Sequence, residues 1–182
     1  MPLNRTKELL LSQDELKRLL HYDAATGVFT RRVRTSYAIR VGDVAGCDNG
    51  EGYRNIRIHG RFYVAHRLAW LYVHGEWPIG WIDHIDGNRD NNRIVNLRCV
   101  TASENMQNQR GRRGTGRNGS GWSARISLNR KKYHLGTFPT EAEAHAVYLE
   151  AKKVMHPTAP ERCFVNPRVE ITIERQFVDM TP

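Results

Sequence analysis

The segment 82–105, IDHIDGNRDNNRIVNLRCVTASEN, constrains the fold most, because strand-forming residues in it alternate with strong turn and helix-start signals. Trp81–Ile85 is predicted as a short strand that ends at the turn Asp86-Gly87-Asn88, and residues 94–100 as a second strand. Thr101 and Glu104 have the spacing of a capping box, so a helix should begin there and carry Asn105 in its first turn. The segment therefore predicts a strand, a loop, a second strand and a helix, with polar side chains converging from both ends.

The charge of this segment contrasts with that of the whole chain. Residues 76–105 hold five acidic and three basic side chains, whereas the 182-residue chain has a formal net charge of +9 and a pI near 9.8. A divalent metal needs carboxylate oxygen, and a polyanion needs Lys and Arg. The contrast favours a metal site that acts on a phosphodiester, with a merely basic soluble surface as the alternative.

Three kinds of side chain in the segment suit phosphodiester hydrolysis. A neutral His84 can take a proton from water, while a metal held by Asp83 and Asn105 stabilises the charge on phosphate. Asn96 is suited to holding the His84 ring in the tautomer that leaves one nitrogen as the base. By composition alone, turn-forming residues and an incidental His84 explain the same segment equally well.

Size and composition limit the remaining choices. A chain of 182 residues with 40% hydrophobic residues suits one domain of ordinary size or two small ones. Its three cysteines, Cys47, Cys99 and Cys163, show no disulfide or zinc-binding spacing, so a reducing cytosol is expected. The charged N-terminus does not have the apolar core of a signal peptide, and no apolar segment has the length of a membrane span.

Local signals predict several further elements before the central segment. Ser12 and Glu15 form a capping-box pattern ahead of a helix at 13–20, and His66 at the start of an apolar helix is expected to be structural rather than a ligand. The other predicted elements are a turn at 22–27, a strand at 28–33, a hairpin at 53–58 and 61–64 that turns at His59-Gly60, and a helix at 65–74 that stops at Gly75.

The C-terminal half combines alternating strands with dense basic charge. Residues 106–140 contain eight Lys or Arg and no acidic residue. Residues 122–128 and 132–138 alternate apolar with polar side chains, and Thr140 opens a helix whose apolar stripe should cover one face of the sheet. The opposite, basic face is then available to a DNA groove, with a solvated surface as the alternative. A strand at 169–174 is also predicted, without a function.

Ordered motifs in the first half resemble the phage and homing type of HNH endonuclease over roughly residues 53–109. They are His66-Arg67-Leu68, Asp83-His84-Ile85-Asp86-Gly87-Asn88, Asp90-Asn91-Asn92, Asn96-Leu97-Arg98, Val100-Thr101 and Glu104-Asn105. The resemblance implies an α+β chain with a ββα-metal (HNH) catalytic module. In it His84 is the general base, Asn96 orients that base, and Asp83 and Asn105 bind one divalent ion, Mg²⁺ with Mn²⁺ as the alternative. Asp86 and Asn92 are interpreted as loop-forming, and the absence of zinc-binding cysteines removes zinc.

A second resemblance covers about residues 112–157. Ala124-Arg125-Ile126 and the run from Leu135 to Ala144, LGTFPTEAEA, are similar to the Apetala or ethylene-response-factor DNA-binding domain. The resemblance implies a three-stranded antiparallel sheet packed on one helix. It also implies a DNA-facing set consisting of Arg113, Arg117, Arg125, Ser127, Lys132 and His134. The family's first strand is altered here to Gly114-Thr115-Gly116, so this strand is expected to be short or irregular.

Taken together, the sequence predicts an HNH nuclease domain at 1–109, a DNA-binding domain at 110–160 and a C-terminal extension at 161–182. The predicted function is metal-dependent cleavage of double-stranded DNA by a phage homing or free-standing endonuclease in the host cytoplasm, without a membrane or an obligate protein partner. The alternatives are a non-catalytic DNA-binding regulator on an HNH scaffold and an RNA-binding protein. The second of these leaves the constellation of Asp83, His84 and Asn105 unexplained.

Overall fold

The computed structural model describes residues 5–108, 114–128 and 131–164, and these residues form a mixed α+β protein. The chain divides into two compact units, Met1–Asn105 and Met106–Pro182. No helix among the described residues has the length and apolar character needed to cross a bilayer. The strand predicted at 169–174 and the predicted DNA contact Arg113 lie outside the described residues.

The first unit begins with two short helices and a hairpin. Helix α1 spans Arg5–Glu8 and α2 spans Gln13–Leu19, where the Ser12 hydroxyl accepts the Glu15 N–H at 3.2 Å and caps the helix as its sequence predicts. Strands β1 (Leu20–Asp23) and β2 (Val28–Arg31) then pair antiparallel. The sequence predicted the second strand and the turn but not β1.

A three-stranded sheet and a helix follow. Strands β3 (Cys47–Asp48), β4 (Arg54–Ile58) and β5 (Arg61–Val64) lie in the order β3-β4-β5. The β4–β5 turn places His59 at φ 47° and Gly60 at φ 77°, as a two-residue hairpin loop requires. Helix α3 spans Ala65–His74 and ends at Gly75. The predicted hairpin and helix are confirmed.

The central segment forms two strands and a helix. Strand β6 (Trp81–His84) pairs antiparallel with β7 (Leu97–Val100), and helix α4 covers Ala102–Gln107. The second strand is shorter than predicted, because Ile94–Asn96 forms a 3₁₀ turn before it. The Thr101 hydroxyl accepts the Glu104 N–H at 3.2 Å and the Glu104 carboxylate accepts the Thr101 N–H at 2.8 Å, so the predicted capping box is present.

One apolar core holds the first unit together. Its most buried members come from α2, β1, β2, β4 and α3, and include Leu16, Leu20, Phe29, Ile56 and Leu68. A buried ion pair fixes the edge of this core: Arg67 donates to both carboxylate oxygens of Glu8 at 2.7 and 2.9 Å. Arg67 also donates to the carbonyls of Pro78 and Gly80, so one side chain connects α1 and α3 with the turn that leads into β6.

The second unit is a three-stranded antiparallel sheet with one helix. Strands β8 (Thr115–Asn118), β9 (Gly121–Leu128) and β10 (Lys131–Phe138) lie in the order β10-β9-β8. Helix α5 (Glu141–Met155) begins at a capping box formed by Thr140 and Glu143, and a 3₁₀ turn covers Glu161–Cys163. Ala124 and Ile126 of β9 pack with Ala144 and Tyr148 of α5 in a small separate core.

Candidate active site

The pairing of β6 with β7 places the central acidic and basic side chains. Asp83 lies opposite Arg98, and His84 lies opposite Leu97. Both predicted site residues are buried, with 9% of Asp83 and 5% of His84 exposed. Burial of a charged or titratable side chain is costly unless polar partners surround it, so these partners determine what the site can do.

Asp83 is held by an ion pair. Arg98 donates to Oδ2 of Asp83 through Nε at 3.0 Å and through Nη2 at 2.8 Å. Because the two residues face each other across the strands, the register alone brings the pair together. The sequence analysis did not select Arg98 as a site residue, although its motif contained it. The available signal was its place opposite Asp83 in the predicted strand pair.

The loop between the two strands, residues 85–96, is organised by Asp86 and Asn96. Asn96 Nδ2 donates to Asp86 Oδ1 at 3.0 Å and to the Asn91 carbonyl at 2.8 Å, and its Oδ1 accepts the Asp86 N–H at 3.0 Å. Burial raises the pKa of Asp86, but hydrogen bonds donated by Asn91, Asn88 and Asn96 outweigh it, so the net pKa lies below the ordinary value. The ionised carboxylate of Asp86 therefore closes the loop.

The side chain that lies against the His84 ring is Asn92, not the predicted Asn96. Asn92 Oδ1 is 3.4 Å from His84 Nε2, while Asn92 Nδ2 donates to the Asp90 carbonyl at 3.0 Å. The Asn96 amide instead donates to Asp86 and to the Asn91 carbonyl. The contact with the His84 ring that the sequence predicted for Asn96 is therefore made by Asn92. Asn92 is only 1% exposed. Asn92 therefore contacts the His84 ring in addition to forming the loop, which was its only predicted role.

Three contacts fix the loop to the rest of the first unit. The Tyr22 hydroxyl donates to the Asn92 carbonyl at 2.7 Å. Gly27, at φ 76°, approaches so closely that a Cβ there would lie 2.6 Å from the Asn92 carbonyl carbon, so only glycine fits. Arg54 of β4 donates to both oxygens of Asp90 at 3.0 Å. The hairpin β1–β2 and strand β4 thus hold the loop that carries Asn92.

Aromatic rings enclose His84 on another side. The His66 ring lies edge-on to it with centroids 5.1 Å apart, and the Tyr53 ring is 6.1 Å away. Burial, with smaller contributions from His84 and Arg67, lowers the pKa of His66 to about 3. His66 is therefore neutral at ordinary pH, and its structural role stays a prediction. The sequence analysis did not predict the contact between His66 and the predicted base His84. The sequence signal for it was that His66 belongs to one of the ordered motifs.

The two predicted ligands are of a type that suits a hard divalent cation. The carboxylate of Asp83 and the amide oxygen of Asn105 are oxygen donors, the type that Mg²⁺ prefers. Asn105 lies in the first turn of α4, where its N–H donates to the Thr101 carbonyl at 2.9 Å. Arg98 already pairs with the Asp83 carboxylate, so a divalent ion bound there would share this carboxylate with the guanidinium. Within the described residues, no group of three or more His, Cys, Asp and Glu has metal-binding geometry, so such an ion would rely on the amide and on water.

The predicted DNA-facing residues of the second unit separate into two groups. Ser127 pairs with Lys132 and Arg125 with His134 across β9 and β10, and all four side chains are exposed. Directly opposite residues share a face, so these four form one polar surface. Arg117 instead pairs with Trp122, and its guanidinium lies 5.2 Å from the indole centroid. Since Trp122 and Arg125 lie three positions apart on β9, the register places Arg117 on the other face, which corrects its predicted position.

Comparison with known proteins bears on residues 63–107, which match the family model of HNH endonucleases. The chain contains an HNH endonuclease domain. The matched residues include the end of β5 together with α3, β6, β7 and α4, and therefore Asp83, His84, Asn96 and Asn105. The endonuclease class predicted from the sequence is confirmed for this domain.

A curated relative supports the same HNH assignment. The DNA endonuclease I-HmuI of Bacillus phage SP01 is 37% identical over an alignment of 67 residues, which covers 34% of this chain. The match spans 38% of the length of that relative. No solved structure matches the chain significantly.

Proposed function

We propose that this chain is a metal-dependent DNA endonuclease that hydrolyses phosphodiester bonds. The observation that carries the proposal is the pairing of β6 and β7 within the residues that match the HNH family, because both Asp83 and His84 of β6 are buried there. The phage relative is named a DNA endonuclease, which supports DNA as the substrate. The proposal extends this to double-stranded DNA and to a phage homing or free-standing nuclease that acts in the host cytoplasm.

His84 is the proposed general base. Its ring is held between His66, Tyr53 and Asn92, which limits rotation and keeps it aligned with the strand. In its neutral form the imidazole can accept a proton from an attacking water. A base fixed in this way loses little freedom when the substrate binds.

Asp83 and Asn105 are the proposed ligands of one divalent ion, Mg²⁺ or Mn²⁺. β6, β7 and α4 together correspond to the ββα-metal arrangement that we propose for this site. A bound ion supplies charge stabilisation at the phosphate and at the leaving 3′ oxygen. Arg98 holds the Asp83 carboxylate through Oδ2 and so fixes the orientation of the ligand. Asn96 supports the site by closing the loop through Asp86.

The second unit is the proposed DNA reader, similar in arrangement to the Apetala or ethylene-response-factor domain. Support comes from the polar surface made by Arg125, Ser127, Lys132 and His134 on a sheet whose opposite face packs on α5. A small sheet fits the major groove of DNA. Arg117 and Arg113 are weaker members of this proposal, because the first lies on the Trp122 face and the second lies outside the described residues.

Plasmid nicking with Mg²⁺ or Mn²⁺ at low salt tests the function. The native chain is expected to relax supercoiled plasmid, and His84→Ala is expected to lose this activity by at least two orders of magnitude, the range that general-base catalysis supplies. His21→Ala is the matched control, because His21 is exposed on β1. Equal nicking by native and His84→Ala protein would refute the base assignment. Binding without nicking by the native chain would favour a non-catalytic DNA-binding regulator.

A further inference from the structure

A loop rich in arginine leaves the core between β2 and β3. Residues 32–42, RVRTSYAIRVG, contain three arginines and no acidic residue, and we refer to them as the basic loop. Its ends are fixed to each other: the Arg31 N–H donates to the Asp43 carbonyl and the Gly42 N–H donates to the Arg31 carbonyl, both at 2.8 Å. A loop closed at its base in this way presents its tip in a defined position.

The tip of the basic loop presents an aromatic ring to solvent. Tyr37 is 94% exposed, and the Arg34 guanidinium lies 5.3 Å from the centroid of its ring. Arg34 also donates to the carbonyls of Ser36 and Tyr37 at 3.2 and 3.0 Å. The arginine therefore organises the tip and holds the ring outward, whereas packing in the core would have turned this ring inward.

A second arginine and aromatic pair lies on β4 and β5. Arg31, at the base of the loop, donates to the Arg57 carbonyl at 3.4 Å. The Arg57 guanidinium lies 5.9 Å from the centroid of the Phe62 ring, and Phe62 is 53% exposed. Two exposed aromatic rings, each with a guanidinium over it, thus occur on connected elements of the nuclease unit.

The basic loop shares a support with the loop between β6 and β7, residues 85–96, which we refer to as the catalytic loop. After the loop, the chain returns through a bridge between Thr30 and Val44 into β3, which pairs with β4. Strand β4 carries Arg54, the residue that binds Asp90 of the catalytic loop. The two loops are therefore anchored on the same small sheet, and a polyanion bound at one is held in a fixed relation to the other.

We propose that the basic loop is a DNA-binding surface of the nuclease unit itself, additional to the sheet of the second unit. Arg34 and Arg40 contact phosphates, and Tyr37 packs on a deoxyribose of the backbone. Arginine contacts release counterions from DNA, and full burial of an aromatic side chain contributes about 1.5–3 kcal/mol. The proposal rests on the proposed function for its ligand, DNA, but not on turnover.

Equilibrium binding of the full chain to a 30-base-pair duplex in EDTA, at several salt concentrations, tests the proposal. Arg34→Ala combined with Arg40→Ala is expected to lower the salt slope by about two, and Tyr37→Ser to weaken binding roughly tenfold, because the buried ring is lost. Arg18→Ala and Ile79→Ser are the controls, since both side chains are exposed elsewhere in the unit.

These outcomes test DNA binding separately from nuclease activity, because EDTA removes the divalent ion that the proposed cleavage requires. Affinities and salt slopes of the loop variants equal to those of the controls would overturn the basic loop as a DNA contact, even if the native chain nicks plasmid. Tighter binding of a matched RNA duplex by the native chain would overturn DNA as its ligand. A reduced slope in the arginine variant, with unchanged thermal unfolding, supports it whether or not nicking is observed.

Discussion

The amide oxygen of Asn92 lies 3.4 Å from Nε2 of His84 and can only accept a hydrogen bond there. The opposite orientation of the amide is disfavoured, because Asn92 Nδ2 donates to the Asp90 carbonyl at 3.0 Å. A proton on Nε2 leaves the lone pair of the neutral imidazole on Nδ1. The proposed base is thus set in one tautomer by a residue that the Tyr22 hydroxyl holds through its carbonyl.

Asn92→Ala is therefore expected to lower the nicking rate by about 10- to 100-fold, the loss typical of removing an outer-sphere partner of a site histidine. The ring should then populate both tautomers, which ¹⁵N NMR of labelled histidine detects in the His84 signal. Asn91→Ala is the matched control, since the Asn91 amide binds Asp86 rather than the ring. An unchanged His84 tautomer in Asn92→Ala would contradict this role.

Arg98→Ala is expected to destabilise the native state without metal by about 1.5–3 kcal/mol, because it removes the two charge-assisted hydrogen bonds to a carboxylate that is 9% exposed. Added Mg²⁺ should raise the melting temperature of this variant more than that of the native chain, since a cation can replace the lost charge. Arg18→Ala, which breaks an exposed pair with Glu15, controls for loss of an arginine. Equal Mg²⁺ shifts in native and Arg98→Ala protein would contradict a metal at Asp83.

Local sequence signals predicted most elements of this fold. Side-chain caps at Ser12, Thr101 and Thr140 start three helices where the sequence places them. The left-handed Gly75 ends another, and His59-Gly60 turns the hairpin. Each of these signals acts within four residues, so it is visible in the sequence without knowledge of the tertiary structure. Strand β1 was not predicted because its residues, LHYD, alternate only weakly between apolar and polar side chains. Its partner β2 follows only after a turn, so the pairing gives no local signal within β1.

Contacts between distant segments account for what the sequence could not predict at the site. The ring contact of Asn92 depends on a loop fixed by Tyr22, Gly27 and Arg54, which lie 38 to 70 positions away along the chain. The face of Arg117 depends on the strand register, since a shift of one residue exchanges the two faces of a strand. Motif order selected Asp83, His84, Asn96 and Asn105, but only the register and the loop packing assign partners to the first three.

Arg67→Ala is expected to cost about 3–5 kcal/mol in the free energy of unfolding, because it leaves the Glu8 carboxylate buried without its charge partner. The variant also leaves the carbonyls of Pro78 and Gly80 without this donor. Urea denaturation of native and variant protein measures the loss. A change below about 1 kcal/mol, the value typical of exposed pairs, would show that the pair is hydrated in solution.

His66 predicts a pH dependence of stability. Burial lowers its pKa to about 3 in the folded state, whereas an unfolded chain has a histidine pKa near 6.5. Between these values the unfolded state binds more protons, so stability falls as the pH is lowered through the window, by at most about 1.4 kcal/mol per pH unit from this residue. His66→Phe keeps a ring against Tyr53 and should flatten the decline between pH 7 and pH 5. Parallel urea midpoints of native and variant protein across this range would contradict it.

The strand register of the second unit predicts unequal effects for two arginines on neighbouring strands. Arg125 and Lys132 lie on the exposed face shared with Ser127 and His134, whereas Arg117 covers Trp122 on the other face. Arg125→Ala combined with Lys132→Ala should lower the salt slope of duplex binding by about two and weaken binding at low salt, because two phosphate contacts are lost. Arg117→Ala should leave the slope nearly unchanged. The reverse order of effects would place DNA on the Trp122 face, and equal, unchanged slopes for both variants would remove the sheet from the DNA-binding surface.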